Sequence, residues 1–309
     1  MKSKRFLPFL LFLTLAACSG HYETVGGYAQ GGTWSVKYST DGVKQSRRRI
    51  QAAIDDILTA IDTTLSGYNK NSLLSRRNAG EPVELNEMFL EMEAIAEHYR
   101  ELSGGAFDAA AGPLFDIWGF GFTDETMPSD EQIAEAMERC RRREVLNFNA
   151  IAQGYSCDRV AAYLHSIGVK NMLIDIGEIF CEGVNPNGKG WSIGIDAPVD
   201  GNMEPGKEMA GIWYSDGGAY GVVTSGNYRK FYIRDGRKYA HTIDPRTGRP
   251  VEHNLLSATV IAPTATEADA LATWFMVIGA GEAAAWVSAH DGIEACLISS
   301  DSVWKSEGF

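Results

Sequence analysis

Ile50, Ala53, Ile54, Ile57, Leu58, Ile61 and Leu65 recur at intervals of three and four, a spacing that predicts an amphipathic helix over 49–65. The same period predicts helices over 88–102, stopped by Ser103-Gly104-Gly105, over 130–142, and over 150–167, ended by Gly168. Residues 33–38 alternate as a strand does. After Gly168 the pattern changes to short alternating runs at 171–176, 179–184, 191–195, 219–224, 228–233 and 257–261. Asn185-Pro186-Asn187-Gly188 reads as a hairpin turn, and Asp235-Gly236 as another. A last helix is expected over 266–278, with Gly279 just past its end. Helices, then antiparallel strands, then a helix argue for an α+β fold with a helical N-terminal part packed on an antiparallel sheet.

The N-terminus has a different pattern. Lys2, Lys4 and Arg5 precede an apolar run from Phe6 to Ala16, too short to span a bilayer and of the length of a signal-peptide core. Leu15-Ala16-Ala17-Cys18 has the form of a lipobox, in which Cys18 is lipidated after cleavage. Ser19 in place of Asp gives no inner-membrane retention signal. The expected organisation is a lipoprotein signal peptide over 1–17, a small polar tether over 18–30 and one folded domain over 31–309. No later segment reads as long and apolar enough to cross a membrane. The expected location is the cell envelope, lipid-anchored on the periplasmic side of a bacterial membrane.

Loss of the three leader cations takes the formal charge from −12 to −15. So acidic a body is no nucleic-acid scaffold, and it must hold any phosphate-rich ligand by local features. Cys140, Cys157, Cys181 and Cys296 show neither a CxxC pair nor a zinc pattern, and Cys157 and Cys181 sit among apolar residues as buried thiols do.

Common catalytic signatures are absent: no GxSxG, HExxH or GxGxxG. Gly183 to Lys189 begins like a phosphate loop, but Gly190 stands where Ser or Thr would be needed. Asp269 and Thr273, four apart, share one face of the last helix and make a hard oxygen pair suited to Mg²⁺ or Ca²⁺. Asp269 also fits the first turn of a helix capped by Thr266. His241, Asp244, Pro245 and Gly248 combine possible proton-transfer groups with a tight turn. Thr224-Ser225-Gly226-Asn227-Tyr228 offers N–H groups and hydroxyls for a phosphate, or is simply a turn. The glycines and aromatics of 104–122 could admit and cover a flat ligand, or pack as loops.

Seven segments in this order resemble the ApbE family, the FAD:protein FMN transferases. They are Gly31-Gly32-Thr33-Trp34; Leu65-Ser66-Gly67-Tyr68-Asn69 with Ser72 and Asn78; and Gly105-Ala106-Phe107-Asp108 with Gly112-Pro113-Leu114 and Trp118-Gly119-Phe120-Gly121. Asn149-Ala150-Ile151-Ala152-Gln153-Gly154-Tyr155 with Asp158 follows, then Thr224 to Tyr228, His241 to Gly248, and Ala268-Asp269-Ala270 with Thr273. The resemblance implies a T-fold-like α+β domain that binds FAD without a Rossmann unit. It implies Mg²⁺ on Asp269, Thr273 and the carbonyl of Ala150, and Tyr68 packed on the flavin. Gln30, Ala106, Phe107, Asp108, Gln153 and Ile243 would lie along FAD. Asn147 stands where the family carries Asp and would accept hydrogen bonds from the adenosine end.

The implied activity is Mg²⁺-dependent transfer of FMN from FAD to a Ser or Thr hydroxyl of an exported flavoprotein, releasing AMP. The partner supplies the nucleophile, which accounts for the missing nucleophile motifs. His241 would accept a proton or contact phosphate. Two other functions use the same residues: a metal-dependent FAD pyrophosphatase, with water as the acceptor, and a non-catalytic flavin-binding lipoprotein.

Overall fold

A computed structural model describes residues 21–120, 127–199, 206–227, 231–234 and 237–309, the last two segments by backbone only up to residue 240. Cys18 and the leader, Gly121, Phe122, Tyr228 and Asp235-Gly236 lie outside the described residues.

Fourteen strands and seven helices are described in chain order: β1 (Tyr22–Ala29), β2 (Gly32–Ser39), α1 (Arg47–Leu65), α2 (Leu73–Asn78), α3 (Glu87–Leu102), α4 (Gly112–Ile117), α5 (Asp130–Arg141), α6 (Ala152–Ser166), β3 (Met172–Asp175), β4 (Ile179–Glu182), β5 (Ser192–Asp196), β6 (Met209–Tyr214), β7 (Tyr220–Gly226), β8 (Phe231–Arg234), β9 (Arg237–Ala240), β10 (Ile243–Asp244), β11 (Arg249–Pro250), β12 (Leu255–Ala262), α7 (Ala265–Val287), β13 (Glu294–Ser299) and β14 (Val303–Lys305). One antiparallel sheet runs β1-β2-β3-β4-β7-β12-β13-β14, and three two-stranded ribbons stand apart from it, β5-β6, β8-β9 and β10-β11. The α+β expectation holds.

Side-chain alternation divides the sheet into two faces. Val223, Ala258 and Val260 point into the helix-side core with Phe275, Leu271 and Ile151. Their neighbours Val222 and Ile261 point the other way, onto Trp191, Ile193, Ile195 and Trp213 of the β5-β6 ribbon. The main sheet is therefore a middle layer, with helices on one face and a ribbon on the other. On the helix side α1 buries Ile50, Ile54, Leu58, Ile61 and Leu65, the stripe its sequence shows.

Several expectations are corrected. Residues 22–29 are not tether but β1, paired with β2 from Tyr22↔Ser39 to Ala29↔Gly32. The strand is polar because it is an edge: only Val25 is buried. Gln30 and Gly31, with φ of 53° and 82°, make the two-residue turn that joins the pair. The turn at 185–188 is no hairpin, since β4 pairs with β3 and β7 whereas β5 pairs with β6. Its Asn185 amide instead holds the crossing, donating to Gly190 O and accepting from Asn187 N. Gly279 does interrupt the last helix, at φ 81° and ψ 170°, but the helix resumes and ends at Val287. The resulting 23-residue α7 is long and apolar enough to cross a membrane, contrary to expectation. Its apolar surface is spent on the core, where it packs on β7, β12 and α6.

Candidate active site

The site is built where α6 crosses the start of α7. Thr264 caps α7, its hydroxyl accepting from Glu267 N at 3.1 Å. Asp158 reaches over from α6 and accepts from Ala265 N at 2.9 Å, Thr266 N at 2.8 Å and the Thr266 hydroxyl at 2.5 Å. Thr266 is thus not the cap, and Asp269 falls in the second turn rather than the first. The reading of Asp269 as a helix-start acid is withdrawn, because the orphan N–H groups of this helix are already satisfied.

Gly154 lets the two helices meet. A Cβ there would lie 2.3 Å from Ala265 O and 2.9 Å from Asp269 Cβ. With no Cβ, Gly154 N–H donates to Asp269 Oδ2 at 3.0 Å. In a continuing helix that N–H would bond to the carbonyl four residues back, Ala150 O. Here α6 begins at Ala152 and the Gly154 N–H goes to Asp269, and Ala150 lines the same cleft as that carboxylate. Asp269 is 5 % exposed. Burial, reinforced by the charge of Asp158, pushes its carboxyl up to about 8 against the opposing pull of the Gly154 N–H. A carboxylate so placed calls for a cation.

Around this point lies a cleft of about 330 Å³, within the range of small-molecule sites. Ala150, Asp269 and Thr273 line it together, as do Tyr68, Ala106, Phe107, Asp108, Asn147, Gln153, His241 and Ile243. These residues come from five chain segments, and several are held by further contacts. Phe107 N donates to Ser103 Oγ at 2.9 Å, and Ala110 N to Asp108 Oδ1 at 2.8 Å. Burial raises the Asp108 carboxyl, while Arg143 at 3.7 Å pulls it down. Asn147 Oδ1 accepts from Asn149 N at 2.9 Å, and the amide keeps a second lone pair on Oδ1 as well as its NH₂ donors. Gln153 Nε2 donates to Ile176 O at 3.3 Å. Tyr68 is 68 % exposed on the rim, and its hydroxyl accepts from Asn149 Nδ2 at 3.3 Å. His241 meets the Phe120 ring edge to face at 6.4 Å. Trp118 Nε1 donates to Gly248 O at 2.9 Å and ties the aromatic segment to the 241–248 turn.

Gln30 is not part of this wall. Its Nε2 donates to Ser156 Oγ at 2.5 Å on α6, and its Oε1 is buried without a partner. The wall also includes residues given no role from sequence: Glu178, Phe115, Met276 and Val277, with Asn149 and Thr242 from the quoted segments. Met276 was findable, since 269, 273 and 276 share a helix face. Glu178 had only a tight turn to mark it. Ser225 and Gly226 do reach the cleft from the end of β7. The four described cysteines are free and buried.

Among the described residues no three His, Cys, Asp or Glu side chains converge as a metal cluster. A cation here would rest on one carboxylate and neutral oxygens, a hard donor set of the kind Mg²⁺ and Ca²⁺ use. Asp269, the Ala150 carbonyl and Thr273 fit that requirement.

Residues 30–297 match the ApbE family. The chain is 31 % identical to an FAD:protein FMN transferase of Haemophilus influenzae over 88 % of its own length and 85 % of the relative's. It is 32 % identical to that of Escherichia coli K12, over 92 % and 87 %. Among solved structures, the apo flavinyl transferase ApbE of Pseudomonas stutzeri superposes with a TM-score of 0.82 at 33 % identity, covering 94 % of this chain and 96 % of that one. The flavin transferase ApbE of Vibrio cholerae gives 0.79 at 29 %, covering 94 % and 98 %. The match of the family to residues 30–297, with relatives and structures alike over most of both lengths, establishes that this chain belongs to the ApbE family.

Proposed function

We propose that this protein transfers the FMN half of FAD to a hydroxyl of another protein. The oxygen of a Ser or Thr attacks the flavin-side phosphorus, the pyrophosphate bond breaks, and AMP leaves as the hydroxyl proton is taken up. The observation that carries this reading is the buried Asp269, lining one cleft with Ala150 and Thr273 in a wall that already holds Asp108 and Glu178. A diphosphate cannot enter so acidic a cleft without a counter-charge. Mg²⁺ on Asp269, Thr273 and Ala150 O would supply it by neutralising charge on the phosphates. The rest falls to side chains. Tyr68 on the rim suits stacking on an isoalloxazine ring. Ile243 and Phe107 give it an apolar floor. His241 is suited to hold the proton of the incoming hydroxyl, because imidazole changes charge near neutral pH. The lipobox supports a lipid anchor at Cys18, and with it an exported acceptor protein.

The test is transfer measured across a Mg²⁺ titration for Asp269→Ala. The expected result is a loss of at least a hundredfold, with an unchanged fold by circular dichroism. Transfer that stays Mg²⁺-dependent and near the parent rate would remove Asp269 from the metal site. Cys18→Ala should leave the protein in the soluble fraction, and a variant still held by membranes would refute the anchor.

A further inference from the structure

The corrected position of β1 changes what a lipid on Cys18 would do. The chain was expected to hang on a tether of about a dozen residues, and instead the sheet begins at Tyr22. Four residue steps from Cys18 to Tyr22 span at most about 14 Å. That is less than the width of the domain, so the corner of the body at Tyr22 is held against the bilayer.

Tyr22 marks that corner. Its ring meets Trp191 edge to face at 6.2 Å, and its hydroxyl donates to Val184 O at 2.6 Å. Trp191 leads into β5 and accepts from Ser215 N at 2.9 Å, next to the end of β6. The anchor therefore emerges at the foot of the β5-β6 ribbon. The inner face of that ribbon packs on the main sheet through Ile193, Ile195 and Trp213. Its outer face carries exposed apolar side chains among the described residues. Tyr214 and Ile212, two apart on β6, are 65 % and 47 % exposed. The Met209 thioether lies over Gly194, which pairs with Ile212. Val184, beside Tyr22, is exposed as well. Contiguous exposed apolar side chains of this kind mark interaction surfaces, and tyrosine favours the headgroup region of a bilayer.

We infer that the outer face of the β5-β6 ribbon lies on the lipid surface, with Tyr214, Ile212 and Met209 entering the headgroup region. The inference rests on lipidation of Cys18. The occupant is lipid rather than a protein partner because the anchor and the patch share one corner of the fold. Apolar side chains, not charge, make the contact, since the body is strongly acidic and anionic lipid would repel it. The main sheet separates ribbon from helices, so the cleft beside α6 and α7 faces away from the bilayer, toward an arriving acceptor protein.

The experiment is lipid quenching in the acylated, full-length protein. Ser192→Cys places a thiol opposite Tyr214 on the outer face, and Leu90→Cys places one on exposed α3 of the helix side. The native cysteines in the described residues are buried and will not take the label. Each variant carries an environment-sensitive thiol fluorophore and is reconstituted in phosphatidylcholine vesicles containing nitroxide-labelled lipid. The expected result is quenching at 192 severalfold stronger than at 90. It should fall toward the value at 90 when Ile212 and Tyr214 are both replaced by Ser. Equal quenching at both sites, in protein that carries the acyl mass on Cys18 and floats with the vesicles, would overturn the orientation alone. Absence of the acyl mass would overturn the anchor, and the orientation with it.

Discussion

A methyl group on Gly154 would press on Ala265 O at 2.3 Å and on Asp269 Cβ at 2.9 Å, and neither neighbour is a flexible side-chain tip. Gly154→Ala should therefore part α6 from α7 and cost about 1–3 kcal/mol, as overpacking in a core does. Transfer should fall much further than stability, because the Gly154 N–H and the Ala150 carbonyl move with the helix. Thermal melting and transfer rate measured on one sample check this, and a variant with both near the parent values would refute the close crossing. Asp269 makes a separate prediction. Its folded carboxyl is raised to about 8 by burial, above its ordinary value when unfolded. Between about pH 4 and pH 8 the folded state then binds more protons than the unfolded one, and stability falls as pH rises, by at most about 1.4 kcal/mol per unit. Without divalent cation, Asp269→Asn should melt above the parent at pH 8, and the difference should close toward pH 4. Mg²⁺ at pH 8 should raise the parent's melting temperature and leave the variant's unchanged. A gap that is the same at both pH values would contradict the assignment.

Elements differed in how plainly the sequence announced them. Helices α1, α3 and α5 each have one buried stripe and one wet face, and the 3.6-residue period showed them to within two residues. The pattern failed where burial is all or nothing. Edge strand β1 buries only Val25, so it reads as a polar tether. In β13, five of six residues are buried, and that short continuous run carries no alternation. Helix α7 is apolar all round, so nothing but Gly279 punctuates it. The Gly279 backbone, at φ 81°, is one that L side chains rarely adopt, and a Cβ would lie 2.9 Å from the His253 ring. Gly279→Ala should lower the melting temperature by the equivalent of about 1–3 kcal/mol. Transfer assayed well below that temperature should stay within a few-fold of the parent, since the break lies beyond Thr273 and the cleft. Loss of transfer without loss of stability would mean that the kink itself shapes the site.

At the scale of the molecule, one layer order links anchor, sheet and cleft. Residues far apart in the chain, such as Tyr68, Asp108, Asn147, His241 and Asp269, converge on one cleft on the helix side. Sequence showed Asp269 and Thr273 as a pair because one helix carries both. It could not show by spacing why Ala150 joins them. That depends on Asp269 taking the Gly154 N–H, a contact across 115 positions. The family resemblance supplied Ala150, and the crossing of α6 and α7 supplies the physical reason. The resemblance also placed Gln30 on FAD; its Nε2 is tied to Ser156 at the hairpin tip, a contact that spacing could not show. The direct measurement is the intact mass of an exported flavoprotein bearing a Ser/Thr acceptor motif, after incubation with FAD, Mg²⁺ and this protein. The expected result is a gain of one FMN phosphoester on a single Ser or Thr, matched by one AMP released per acceptor modified. Free FMN and AMP with the acceptor mass unchanged would contradict it, making water the true acceptor and the protein a pyrophosphatase.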